Sequence, residues 1–407
     1  MYDNDCIIEK LSNELLIYIF SFLSIKDICN LKETCLRFHN LIGSWDNTII
    51  KGHAPLVTNQ ISPLFITRCR ERFKTKLEKL RVESNWIKGK YKEYSYFHVK
   101  KKYMPWLHLD QKFLWFSRGQ QIYVYKRSKN FINQTPFKVV YPNGRADVTK
   151  FQVKADLLVS GLSDGGVYLQ SLKNSDVFCL KSGTSYTYSV DFCSQFVASA
   201  HRDNTLKIRF IRNEELLELD DCLSKRVCDR PWCVSFNDDG SRLAIGTSAI
   251  SDRHRSVSVY DLERFEECVD LENTCKSCGT LDLKWDGPNI IWSCGMDKLK
   301  KWDLRVGKVV QEFEDPFHYN LYCLDYDYYN TVMVGTYMNG RVVLWDVRHK
   351  QCIQLFFMNS CRGKQQSSPV YSLAFDSVCL FAATDQNLNI LNFDSYQSAG
   401  KDYKVFI

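Results

Sequence analysis

A short punctuation recurs through the last three-quarters of the chain, clearest as Trp302-Asp303-Leu304 and Trp345-Asp346-Val347. A weaker copy is Tyr260-Asp261-Leu262. Four more have lost the pair: Val124-Tyr125, Leu169-Gln170-Ser171, Ile208-Arg209-Phe210 and Ile390-Leu391-Asn392. The tryptophan-equivalent positions are 125, 170, 209, 260, 302, 345 and 391, at intervals of 45, 39, 51, 42, 43 and 46 residues. A period of this length means one supersecondary unit repeated, each copy burying its faces on its neighbours.

The units are built of strands. Leu281–Trp285, Ile290–Gly295 and Leu299–Leu304 form one set. Tyr322–Tyr326, Val332–Thr336 and Val342–Asp346 form the next, and Tyr371–Phe375, Leu380–Thr384 and Leu388–Leu391 the last. Each alternates apolar and polar residues, and Gly, Asp or Asn marks the turns. Short antiparallel strands repeated radially make a propeller, and seven marks predict seven blades.

Composition narrows the class. Of 407 residues, 45% are hydrophobic and 14% aromatic, ample for a core of this size. The apolar run Leu15–Leu23 is interrupted by Ser21 and is too short to span a bilayer. Asp3, Asp5 and Glu9 stand where a secretory signal needs basic residues. The expectation is a soluble protein of the cytoplasm and/or nucleus. The 17 cysteines are scattered, several within strand patterns (Cys193, Cys233, Cys323, Cys379), as small hydrophobes in a reducing compartment. Cys275 and Cys278 form a lone Cys-x-x-Cys without the second pair a zinc site needs, so an ordinary loop is expected and no metal or cofactor is predicted. The net charge of +7 is concentrated in 68–103, where thirteen Lys/Arg meet four Asp/Glu. With Tyr91, Tyr94, Tyr96 and Phe97 interleaved, this stretch could contact nucleic acid. A solvated helix face followed by a strand is the favoured alternative.

Residues 5–50 are helical in pattern. Leu11, Leu15, Leu16, Ile19, Phe20 and Leu23 share one face. Ser24 to Asp27 resembles a helix start, with a second helix running through Ile28, Leu31, Cys35 and Phe38 to Leu41 and Ile42. So few residues cannot bury so many apolar side chains among themselves, so a partner is expected. In 51–84, Ile61, Leu64, Phe65, Cys69, Phe73, Leu77 and Leu80 keep helical spacing, which reads as a stiff spacer before a propeller over 85–407.

The repeats resemble degenerate WD repeats, with a turn aspartate at Asp164, Asp203 and Asp297 but no Gly-His dipeptide. Leu11-Ser12-Asn13-Glu14-Leu15-Leu16 followed by Ile19-Phe20-Ser21-Phe22-Leu23 resembles an F-box, with Ser12 in place of the usual proline. Asn85-Trp86-Ile87-Lys88-Gly89 is similar to the stretch by which F-box/WD proteins enter the propeller, where it tends to supply the outer strand of the last blade. Met104-Pro105-Trp106, Leu321–Leu324 and Ser367–Tyr371 resemble the dactylin branch of that family.

The resemblance implies a non-catalytic substrate receptor of a Skp–cullin–F-box ubiquitin ligase, the F-box docking the Skp adaptor and the propeller a protein substrate. Adaptor contacts are expected from Leu11, Ser12, Glu14, Leu15, Ile19, Phe20 and Leu23, supported by Ile28, Leu31, Cys35 and Phe38, about half of them facing inward. On the narrow propeller face the resemblance places Thr149, Tyr188, Trp232, Leu281, Tyr322 and Tyr371 at strand starts. Ser163, Arg202, Met296 and Met338 fall just before the turns. One arginine among four aromatics favours apolar, aromatic or cationic groups over phosphate, although strand-start aromatics can also be plain blade packing. An enzyme lacks support, since neither Gly-x-Ser-x-Gly nor His-Glu-x-x-His occurs and the eight histidines are scattered. A plain interaction scaffold is the rival reading.

Overall fold

The computed structural model describes residues 7–403 apart from 24, 50–54, 98, 129–130, 143–144, 174–175, 182–184, 214–217, 251–254, 270, 272–278, 297, 359–367 and 396–399. The described residues form helices α1 (Ile7–Lys10), α2 (Asn13–Phe20), α3 (Ile25–Lys32), α4 (Leu36–Ile49), α5 (Pro63–Ile66) and α6 (Lys76–Ile87), then seven antiparallel sheets. Ser24, Cys275, Cys278 and Asp297, singled out above, lie outside the described residues.

Ser12 starts α2 in extended geometry, and its hydroxyl accepts from Leu15 N–H at 3.4 Å. It thus takes one of the helix's orphan N–H groups, offsetting the missing proline. The helix expected to run unbroken from Ser24 to Ile42 is instead two. Thr34 turns its N–H and hydroxyl back onto the Leu31 carbonyl, at 3.1 and 2.7 Å. Cys35 then caps α4, its sulfur accepting from Phe38 N–H at 3.5 Å. Leu16, Phe20, Ile28, Phe38, Leu41, Ile42 and Ile49 form one small core, completed by Leu77 and Leu80 of α6.

The segment between this core and the propeller is not a free-standing spacer. Only α5 and α6 are helical there; Leu56, Val57, Phe65 and Cys69 are buried in the same cluster as Phe356, Phe375 and Phe393 of the last two blades. Val57 N–H donates to Thr331 Oγ1 at 2.7 Å and Gln60 Nε2 to Ser377 Oγ at 3.0 Å. Arg68, first residue of the basic stretch, is buried against Asp325 at 2.6 Å, with Phe65 and Phe375 flanking its guanidinium. Further along, Arg81 pairs with Asp394 and Lys102 with Asp385. Part of the charge read as a solvated face therefore fastens the segment to the propeller.

Each blade begins with an innermost strand: Leu107–Leu109, Val148–Lys154, Thr187–Phe192, Pro231–Phe236, Thr280–Trp285, Leu321–Tyr326 and Ser372–Phe375. The seven punctuation positions all fall in the third strand of their blade. There the aspartate holds the following turn: Asp261, Asp303 and Asp346 accept N–H groups of Glu263 (2.9 Å), Arg305 (3.0 Å) and Arg348 (2.9 Å). The tryptophan packs inward, and Trp302 Nε1 donates to Ser293 Oγ at 2.8 Å. In the next blade Val334 occupies the place of Ser293, by the registers Ile291↔Trp302 and Val332↔Trp345. Trp345 Nε1 is accordingly buried without a partner among the described residues. Arg209 replaces the tryptophan in the third blade and is fully buried, reaching Ser199 Oγ at 3.5 Å.

The ring closes with a strand from the start of the propeller: Lys92–Tyr96 pairs antiparallel with Leu388–Asn392. The Asn-Trp-x-x-Gly stretch, expected to supply that outer strand, instead ends α6, and the strand begins three residues after Gly89. Gly89 has φ +61°, and a Cβ there would collide with the Lys401 carbonyl, so only glycine suits the turn. Trp86 stacks on Phe393 with centroids 3.4 Å apart, meets Phe356 edge-on, and donates Nε1–H to Ser377 O at 3.1 Å. Trp86→Ala should cost about 3–5 kcal/mol, measured by denaturant unfolding of the full chain. Tyr141→Ala, at an exposed position, should stay within about 0.5 kcal/mol of the parent.

Candidate functional site

The innermost strands surround a central channel. They run from the end where Thr149, Tyr188, Trp232, Leu281, Tyr322 and Tyr371 stand, the face expected above to be the narrow one, to the end beside Leu64, Thr67 and Arg68. Side chains lace neighbouring strands: Val234 N–H donates to Ser189 Oγ (3.3 Å), Phe236 to Asp191 Oδ2 (2.8 Å) and Leu324 to Asp282 Oδ2 (3.1 Å). Phe375 N–H likewise donates to Asp325 Oδ2 (3.3 Å) and Leu107 to Ser372 Oγ (3.1 Å). The same carboxylates also hold cations. Lys150 spans the channel to Asp282 at 3.1 Å above the Trp106 ring, Lys154 meets Asp191 at 2.7 Å, and Lys284 and Arg68 both face Asp325.

A cavity of about 940 Å³ occupies the channel toward the covered face, with Leu64, Thr67 and Arg68 in its wall. Its cations Arg68, Lys154, Lys173 and Lys284 each face an aspartate, and Asp238 and Asp239 line it as well. No group of three metal-ligating side chains occurs among the described residues. No helix among them is long and apolar enough to cross a membrane. Cys233, Cys323 and Cys379 are buried, with burial raising each thiol's pKa, while Cys193 is half-buried.

Two buried imidazoles have shifted pKa values, His108 in the channel wall and His201 at the end of a second strand. Burial pushes His108 down to about 4, Asp110 opposing and Lys284, Lys154 and Arg68 adding to the effect. Burial also pushes His201 down to about 4, against its bond to the Ser185 carbonyl; its Nε2 lies 2.9 Å from Ser199 Oγ. Unfolding releases both to the ordinary histidine value near 6.5. Between pH 6.5 and about 4 the unfolded chain therefore binds more protons than the folded one, and stability falls as pH falls. Denaturation midpoints across that window should show this loss, with a shallower slope in His108→Gln/His201→Gln.

On the narrow face the strand-start residues Thr149, Tyr188, Trp232, Leu281, Tyr322 and Tyr371 are all half-buried. The turn residues Arg202, Met296 and Met338 are exposed, and Ser163 is half-buried. Asp164 and Asp203 hold their turns by accepting N–H groups of Gly166 (3.0 Å) and Thr205 (3.2 Å). Trp232 lies against Gly279, where a Cβ would meet its ring at 2.7 Å. Tyr322 meets Tyr371 edge-on at 5.2 Å and stacks on Tyr337 at 6.1 Å, while Tyr186 and Tyr188 are 5.4 Å apart. Tyr186 and Tyr337 were missed in the sequence. The alternation Tyr186-Thr187-Tyr188 carried a signal for the first, since period two puts both tyrosines on one side. Tyr337 sits in a turn with no such pattern.

The other surface belongs to α1–α4. Leu15 (51% exposed), Ile19 (44%) and Leu23 (36%) form an open apolar face, extended by Tyr18, Phe22 and Leu36. Phe20, Ile28 and Phe38 are buried in the helical core, and Leu11 and Leu31 are half-buried against it. These five pack within or against the helical core. Cys35 is exposed but committed to the α4 cap, and Ser12 and Glu14 stand exposed at the start of α2. Hydrogen bonds from the local backbone and then Ser12 hold the Glu14 carboxyl below its usual range.

Comparison with known proteins agrees with this geometry. The F-box domain family matches residues 8–49. Over 400 residues the chain is 26% identical to F-box/WD repeat-containing protein 4 of Mus musculus and 27% identical to that of Homo sapiens. Each alignment spans 95% of this chain and 93% of the relative. Among solved structures, the computationally designed Ika8 protein superposes with a TM-score of 0.54 at 17% identity, over 73% of this chain and 98% of that one. That likeness concerns the fold alone.

Proposed function

We propose that this F-box/WD-repeat chain, homologous along almost its whole length to F-box/WD repeat-containing protein 4, is the substrate-receptor subunit of a Skp–cullin–F-box ubiquitin ligase. The observation that carries the reading is the split of the F-box side chains. Leu16, Phe20, Ile28 and Phe38 fill its core, leaving Leu15, Ile19 and Leu23 with Tyr18 and Phe22 as an apolar face that nothing in the chain covers among the described residues. An apolar face of this kind on so small a module is a protein-docking surface. In this reading it receives the Skp adaptor and, through it, the cullin–RING assembly, in the cytoplasm or nucleus.

In this reading a protein substrate meets the face at the strand starts, at the other end of the channel from Leu64, Thr67 and Arg68. The chain itself performs no bond-making; it holds substrate near a ubiquitin-charged enzyme, which is catalysis by proximity. Rigid attachment matters here, because a reacting lysine must be delivered within a limited reach. Arg68, Val57 and Trp86 fix that attachment at three separate places on the propeller.

The test is co-purification. The intact chain should bring down the Skp adaptor and cullin, whereas Leu15→Asp/Ile19→Asp should lose both while the propeller unfolds at an unchanged denaturant midpoint. Capture of neither by the intact chain would sink the ligase reading and leave an interaction scaffold. Phe20→Asp makes a poor probe, since a buried charge would unfold the F-box itself.

A further inference from the structure

We propose that the tyrosine-lined mouth of the channel receives a cationic side chain, a lysine or arginine presented by the bound protein. This rests on the receptor reading and names the chemistry its narrow face selects. Three blades contribute rings to one mouth: Tyr186 and Tyr188 from the third, Tyr322 and Tyr337 from the sixth, and Tyr371 from the seventh. The phenols of Tyr186 and Tyr337 lie within electrostatic reach of Tyr322, so the rings from opposite sides of the mouth converge.

Two carboxylates stand beside these rings: Asp147 acts on Tyr186 and Asp385 on Tyr371. Asp385 is shared with Lys102 at 3.4 Å on the outer side. The Asp147 carboxylate has no hydrogen bond or ion pair among the described residues. Arg202, the cation expected on this face, is exposed and donates its backbone N–H to the Tyr186 carbonyl at 2.9 Å. Tyrosine faces carry negative quadrupole potential, and half-burial raises the value of each such contact by displacing water. With two carboxylates added, the mouth is complementary to a positive group on an aliphatic stem. A phosphate there would be opposed by both carboxylates.

The probe is a set of four short peptides, alike except at one central residue: lysine, trimethyllysine, norleucine or phosphoserine. Their binding to the full chain is read by fluorescence anisotropy. Trimethyllysine keeps the charge without donors, and norleucine keeps the stem without the charge. The two cationic peptides should bind about fivefold to thirtyfold tighter than norleucine, with phosphoserine weakest. Tyr371→Leu, which keeps bulk and removes the ring face, and Asp147→Asn should each shrink that ratio toward one; Val310→Ala, exposed on the outermost strand of the fifth blade, should leave it unchanged. Equal binding of lysine and norleucine, tightest binding by phosphoserine, or no binding of any peptide at millimolar concentration overturns the inference. Adaptor co-purification by Tyr371→Leu and Asp147→Asn separates the two claims. A charge-blind face with adaptor capture intact removes only the cation selectivity. Charge selectivity without adaptor capture removes only the ligase reading.

Discussion

One helix is a member of two cores. Leu77 and Leu80 at the start of α6 complete the F-box core, and Val82 and Trp86 at its end are buried among the aromatic side chains of the last two blades. Thr75 caps the helix by accepting Glu78 N–H, and Asp46 of the F-box accepts from Lys76 N–H, so its first turn is anchored before either core is counted. Neither domain can shift against the other without opening one of these cores. The cost of such an opening is set by fully buried aromatic area rather than by surface contacts.

The residues before α6 add a second fastening of a different kind. Arg68 enters the channel rim and shares Asp325 with Lys284, while Asp325 also accepts the Phe375 N–H of the next blade. One carboxylate thus joins the linking segment, the channel wall and the lacing between blades. Low local dielectric makes such a group costly to strip of any one partner. The channel charges are explained by this architecture.

The repeat was legible because it rests on spacing. All seven marks fall in third strands even where Trp-Asp has become Gln-Ser or Arg-Phe, since period-two patterning survives changes of side chain. The eroded parts show why a motif count fails: Ser293 still receives the Trp302 indole N–H, but Val334 leaves Trp345 without that bond, and the blade stands on packing. Less was legible where tertiary contacts decide. The apolar positions of 56–73 had helical spacing, yet most of that stretch is irregular chain shaped by the propeller surface. The break at Thr34 and Cys35 rests on side-chain bonds that no periodicity announces. For the F-box, the pattern identified the apolar positions but not which of them face outward, because Leu15 and Leu16 are chemically alike and differ only in azimuth.

The strand that closes the ring comes from residues 92–96 and its partner from 388–392. A chain made from its N-terminus completes the F-box early but cannot seat Trp86 until Phe393 has been synthesised. A product cut short before the last blade would carry a folded F-box with α6 bare on its propeller side. The closure therefore acts as a check on completeness: only the finished chain holds its two ends in fixed relation, and a truncated one exposes apolar surface that chaperones and proteases recognise.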